Sequence, residues 1–275
     1  MSQEYLLKLH KRIVKKLSSQ LFLHMQLVDS YSFAEAVMYD SYDAEFVLND
    51  YLHFCYAKST KTGAAIELLV HANFREDAFI LLRANYENYL SFWYVLRNPE
   101  SIDSFVTAKV GKSNRRFAHP KKGPSRHLKV IDTISGEEYL YGRSMSKLAR
   151  NSSPRVSIDF HELFYEYLCE FTHTHFMAFG DYLDPRNLSK ITARNYGVNL
   201  EVVTYSLLLS TMWLESFMIF EEVDPMDARR IRSGVKSGRD LLLEIETVLH
   251  SEGKLEMLLS EIRKMTESLG GKIVL

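Results

Sequence analysis

A chain of 275 residues with 46% hydrophobic and 25% charged content can bury a large core, which excludes a disordered or low-complexity protein. Twelve glycines and six prolines are few for this length. All-β folds need many turns built from those residues, so an all-α fold is expected. Two distant cysteines, Cys55 and Cys169, form no disulfide framework and point to a reducing, cytoplasmic setting.

Residues 2–28 place Leu6, Leu9, Ile13, Leu17, Leu21 and Met25 three and four apart, the spacing of an amphipathic helix. Lys8, Lys11, Arg12, Lys15 and Lys16 occupy its other face, and the segment lacks the apolar run of a secretory signal. Helices are expected next over 43–57 and 62–72. Leu82, Tyr86, Leu90 and Trp93 then predict a helix over 76–97. Pro99 closes it, because the residue before a proline is pushed out of helical geometry.

A short helix is expected over 99–109. Residues 109–155 hold four of the twelve glycines and three of the six prolines, so loop should dominate there, with short helices at 126–134 and 144–150. A helix over 157–175 and a loop with Gly180 and Pro185 follow. The longest apolar run predicts a helix over 199–222, ended by Pro225. Ser206, Ser210, Thr211 and Glu215 inside it argue for a core helix and against a membrane span.

Residues 226–269 read as one or two amphipathic helices broken near Gly253, with Leu255, Leu258, Ile262, Met265 and Leu269 as the apolar stripe. Two heptads are too few for a coiled coil, so this stripe should pack on the chain's own core. The expected fold is one all-α domain, a multi-helix bundle with a basic, loop-rich insertion. Its parts are N-terminal helices to residue 58, a core bundle over 59–222 and C-terminal helices over 226–269.

Charge is unevenly spread. Lys109, Lys112, Arg115, Arg116, Lys121, Lys122, Arg126 and Lys129 fall in a window without an acidic residue. Across 109–155, twelve basic residues face three acidic ones. That is a net +9, and since the chain totals −1 it leaves −10 for the rest. Such a segment suits a phosphate-bearing partner such as RNA, or serves as a solvated loop. Gly111–Ser113 reads GKS, but a phosphate-binding loop needs a further glycine where Val106 stands.

Arg83 and Glu87, four apart, share a helix face with Leu90 and Tyr94. They form either an ion pair that locks two helices or part of a ligand or catalytic site. His161, Glu162, His173 and His175 cluster later. His161 and His173 lie about 120° apart around a regular helix, poor geometry for shared ligation even with Asp181 nearby, so no metal and no cofactor are expected.

Two resemblances bear on function. Arg155 and His161, at a helix start, resemble the Arg-x(4–6)-His motif of the HEPN ribonucleases. That likeness implies arginine and histidine from two subunits activating a ribose 2′-hydroxyl and stabilising a phosphorane without metal. The stretch FILLRANYENYLSFWYVLRNPE (79–100) is similar to a helix of the form LLRxxxExxxxxxYxL, and SKLARNSSPRVSIDFHELFYEYLCEFTH (146–173) to a later YxxL[SC]xxxH helix. Together they resemble a bacterial family of uncharacterised all-helical proteins, a domain of unknown function. This second likeness implies that Arg83, Glu87, Tyr165 or Tyr167, and His173 meet between helices.

Three functions are in view. One is a binding module, of the kind found among defence or toxin effectors, that engages RNA through residues 109–129. The second is a metal-independent ribonuclease using Arg155 and His161, or Arg83, Glu87 and His173. The third is a structural protein that forms homo-oligomers through its C-terminal helices. No membrane partner is expected.

Overall fold

The computed structural model describes residues 2–31, 44–102, 115–123, 126–140, 144–172, 183–184, 187–191, 200–250 and 256–271. Lys109, Lys112, His173, His175, Asp181, Gly180, Pro185 and Gly253 lie outside the described residues.

The first three helices are α1 (Gln3–Ser30), α2 (Ala44–His71) and α3 (Arg75–Arg97). Ser2 caps α1, its hydroxyl accepting from the Tyr5 amide at 3.3 Å. Of the expected stripe Leu9, Ile13, Leu17 and Leu21 are buried, Leu6 is half-buried and Met25 is exposed.

One expectation fails at α2. It is a single 28-residue helix, where the sequence reads as two, over 43–57 and 62–72. The hydroxyls of Thr60 and Thr62 turn back onto the carbonyls of Tyr56 and Lys58, at 3.1 and 2.9 Å, so these residues stay helical. Gly63 has a packing role: a Cβ there would stand 2.7 Å from Leu21 Cδ2, so a side chain at this position would have to push the Leu21 methyl aside.

α2 and α3 form a helical hairpin. Asn73 adopts a left-handed φ of 60°, the Phe74 amide donates to the Leu69 carbonyl at 2.9 Å, and the Asn73 amide to Val70 at 3.1 Å. That is a Schellman ending, with asparagine where glycine is commoner.

Residues 117–140 correct the expected loop. The chain forms a three-stranded antiparallel sheet, β1 (Phe117–Ala118), β2 (Lys129–Asp132) and β3 (Glu138–Leu140), in the order β1-β2-β3, with a single 3₁₀ turn, Arg126–Leu128, between β1 and β2. Val130 pairs with Tyr139 and Ile131 with Glu138. No helix spans 126–134. The sheet has a small apolar cluster of its own, Phe117, Val130 and Tyr139, with the two rings stacked 5.0 Å apart.

Helix α4 (Met145–Arg150) is close to its expected place, and α5 (Ile158–Glu170) opens on the Ser157 hydroxyl, which accepts from the Phe160 amide. A two-stranded hairpin, β4 (Leu183–Asp184) and β5 (Asn187–Ile191), precedes α6 (Leu200–Phe220). Then come α7 (Pro225–His250) and α8 (Glu256–Ser268). Pro225 does not end α6. It opens α7, where a proline's missing N–H costs nothing and Asp224 caps the Met226 amide at 2.7 Å.

α6 is the centre of the bundle. By length and composition the window Leu200–Ile219 could cross a membrane, but 89% of it is buried inside the protein. Its hydroxyls bond to carbonyls one turn back, Ser206 to Val202 at 2.6 Å and Thr211 to Leu207 at 2.7 Å. The buried indoles also find partners: Trp93 donates to Ser216 at 3.0 Å and Trp213 to Asn85 at 3.2 Å. His24 sits between Tyr56 and Ser210, and burial lowers its pKa to about 4, so it is neutral. The stripe of α8 (Leu258, Ile262, Met265) and the following Leu269 are buried in the same core.

Candidate functional site

Arg83, on the third turn of α3, is the hub of a polar cluster. Its Nε donates to Glu87 Oε1 at 2.9 Å, one terminal nitrogen donates to the Tyr165 hydroxyl at 2.9 Å, and the other to Thr172. Tyr165 donates in turn to Glu87 Oε1 at 2.9 Å, and the guanidinium carbon stands 5.0 Å from the Tyr165 ring centroid. The side chains of Arg83 and Glu87 are 21% and 33% exposed, so the cluster opens to solvent.

Of the two tyrosines in view, Tyr165 joins this cluster. Tyr167 turns to a different pair, Arg75 and Glu201, with its hydroxyl 3.3 Å from Glu201 Oε2. The two tyrosines are two residues apart on α5, so they face nearly opposite ways.

Burial, and then the Glu87 charge, push the Tyr165 phenol up to about 12. Burial also raises the Cys169 thiol, which excludes a thiolate nucleophile there at neutral pH. Arg83 uses three of its five N–H donors, and Glu87 Oε2 has no partner among the described residues. The cluster therefore offers spare donors beside a spare carboxylate oxygen.

His161 lies behind the cluster. It is 2% exposed, its ring stacks on Tyr165 at 5.3 Å, and Nδ1 is 3.2 Å from the Tyr86 hydroxyl. Burial lowers its pKa, so it stays neutral at pH 7.

Arg155 is engaged elsewhere. Its Nε and a terminal nitrogen grip both oxygens of Glu215 at 3.0 and 2.9 Å, and that nitrogen also donates to the Gly271 carbonyl at 2.7 Å. The Gly270 amide completes the carboxylate at 2.6 Å. None of Arg155's bonds goes to His161. Glu215 stands in the sequence as the one acid inside the apolar run Val202–Phe220, but nothing there pointed to Arg155 as its partner.

The basic segment divides in two. Arg116 is bound to Asp132, whose carboxyl it holds down at about 2, and Lys129 is 2.7 Å from Glu138. Arg115, Lys121, Lys122 and Arg126 are exposed, with no carboxylate partner among the described residues. Arg126 reaches only the Lys121 carbonyl, at 3.4 Å. Among the described residues no three metal-ligating side chains come together.

The family of unknown function DUF5677 matches residues 49–190, a span that carries Arg83, Glu87, Arg155, His161, Tyr165 and the cationic sheet. The chain belongs to that family. The DUF5677 segment thus holds the whole Arg83 cluster but ends before Glu215, and it lends no support to the HEPN likeness. No curated protein and no solved structure matches the chain.

Proposed function

We propose that this DUF5677 protein is a binding module that docks a phosphate backbone, RNA first among them, on the connection between β1 and β2. The supporting observation is the division of the basic residues. Arg116 and Lys129 are tied to carboxylates and build the sheet, whereas Lys121, Lys122 and Arg126 serve no bond that the sheet needs. Holding like charges together on one short connection is unfavourable unless an anion meets them. Among the described residues no exposed aromatic stacking platform accompanies them, because Phe117 is buried, so the reading is of phosphates and not of bases. A place among defence effectors rests on analogy alone.

The test is fluorescence anisotropy with a single-stranded RNA across a salt series. Replacing Lys121, Lys122 and Arg126 with alanine should weaken binding and flatten the log–log salt slope by about 2, from three contacts at roughly 0.7 each. An unchanged slope, or no binding by the parent protein, overturns the proposal.

A ribonuclease is the second reading, and the Arg83 cluster favours it over Arg155 and His161. Glu87 Oε2 could accept a 2′-hydroxyl proton while the spare donors of Arg83 meet phosphorane charge. It requires RNA cleavage in EDTA with 2′,3′-cyclic phosphate ends, lost in Glu87→Gln. Cleavage that survives Glu87→Gln and fails in His161→Ala would instead return the site to the HEPN pair.

A further inference from the structure

Helix α7 carries Arg229, Arg230, Arg232, Lys236 and Arg239 with no acid between them. At 100° per residue Arg232, Lys236 and Arg239 fall within an arc of about 60°. Ile231 and Val235 lie next to that arc and are 0% and 4% exposed. The cations of α7 therefore stand at the rim of side chains that are packed into the core.

This flank of α7 faces a cleft of about 390 Å³. Met218 and Ile219, half-buried at the end of α6, form the opposite wall, and the turn at Gly270–Gly271 closes one end. The volume lies in the range of small-molecule sites.

The charge in the cleft is unbalanced. Among the described residues that line it Glu215 is the one carboxylate, and Arg155 and the Gly270 amide already hold it. Arg239 donates to the Leu269 carbonyl at 3.3 Å and lies 3.3 Å from Asp240. Arg232 and Lys236 are exposed and have no acidic partner among the described residues. A bare phosphate would leave the apolar wall unused, and a plain hydrocarbon would leave the cations unanswered.

We propose that this cleft binds a small anionic amphiphile. Its carboxylate or phosphate head meets Arg232 and Lys236, and its apolar body lies against Met218 and Ile219. The site lies outside residues 49–190, so it is not implied by family membership, and it shares no residue with the cationic sheet.

Calorimetric titration of the full chain tests it. Decanoate and decyl phosphate should each bind at one per chain, and the tighter of the two identifies the head. Decanol, decyltrimethylammonium and inorganic phosphate should bind at least about tenfold more weakly, the loss expected when a charge-assisted contact or the apolar body is missing. The variant Arg232→Ala/Lys236→Ala should lose about tenfold or more for both anions and keep its melting temperature and its RNA affinity. The proposal is overturned if decanol equals decanoate, if inorganic phosphate equals decyl phosphate, if the double variant binds unchanged, or if several equivalents bind per chain.

Discussion

Arg155–Glu215 and Arg83–Glu87 are the same chemical pair in two settings. Arg155 and Glu215 come from sequence positions 60 apart, and their side chains are 9% and 10% exposed. Their bonds are two-pronged and extend to backbone at Gly270 and Gly271. Arg83 and Glu87 are one helical turn apart and more open, with a tyrosine and a threonine as further partners. The first pair is largely buried, with both carboxylate oxygens bonded, and acts as a strut between the α5 entry, α6 and the end of α8. The second keeps unused donors and acceptors at the surface, which is what a functional group needs. Burial, more than residue type, separates the two roles.

The comparison is most exposed to Glu215→Ala. Leaving Arg155 buried without its counter-ion should cost about 3–5 kcal/mol in denaturant unfolding. A loss near 1 kcal/mol would mean that the strut is dispensable.

His24 shows the cost of burying charge with no counter-ion. Its folded pKa of about 4 lies below the unfolded value of 6.5. Its contribution is fully present above pH 6.5 and is lost as pH falls toward 4, by about 3 kcal/mol. His24→Asn should remove that slope between pH 6.5 and 4, and an unchanged slope would assign acid sensitivity to other groups. Smaller again is Arg83→Ala. A half-exposed pair with two hydroxyl partners should cost about 1 kcal/mol in the same unfolding measurement, and a loss matching Glu215→Ala would dissolve the distinction.

The helices with a clean apolar period were legible. α1 and α3 fall within two residues or so of where their stripes put them, because a face that packs must repeat at 3.6, and α6 does so from the length of its apolar run. The gap expected inside α2, at 58–61, holds two lysines, a serine and a threonine, and these stay helical here. Only the tertiary approach of Leu21 explains Gly63.

The sheet over 117–140 was missed for a related reason. Its strands are two to four residues long, too short for alternation to stand out. The bend at Gly136, with φ of 78° and its amide on the Asp132 carbonyl at 2.8 Å, was visible only as a glycine in a polar run. Arg83 and Glu87 were found from their spacing. Tyr165 could not be told from Tyr167, since only packing decides which face of α5 meets α3. His173, placed in the same cluster by resemblance, lies outside the described residues.

The strut has a consequence for how this protein can be divided. The family segment ends at residue 190, yet the carboxylate that neutralises its Arg155 sits at 215 and the backbone that braces it at 270–271. α6, which completes the core against α3, also lies beyond it. A fragment cut at the family boundaries would carry a stranded cation and an uncovered apolar face. The unit that recurs among relatives is therefore not a unit that can be excised, and the flanking helices are structural partners of the family segment and not appendages to it.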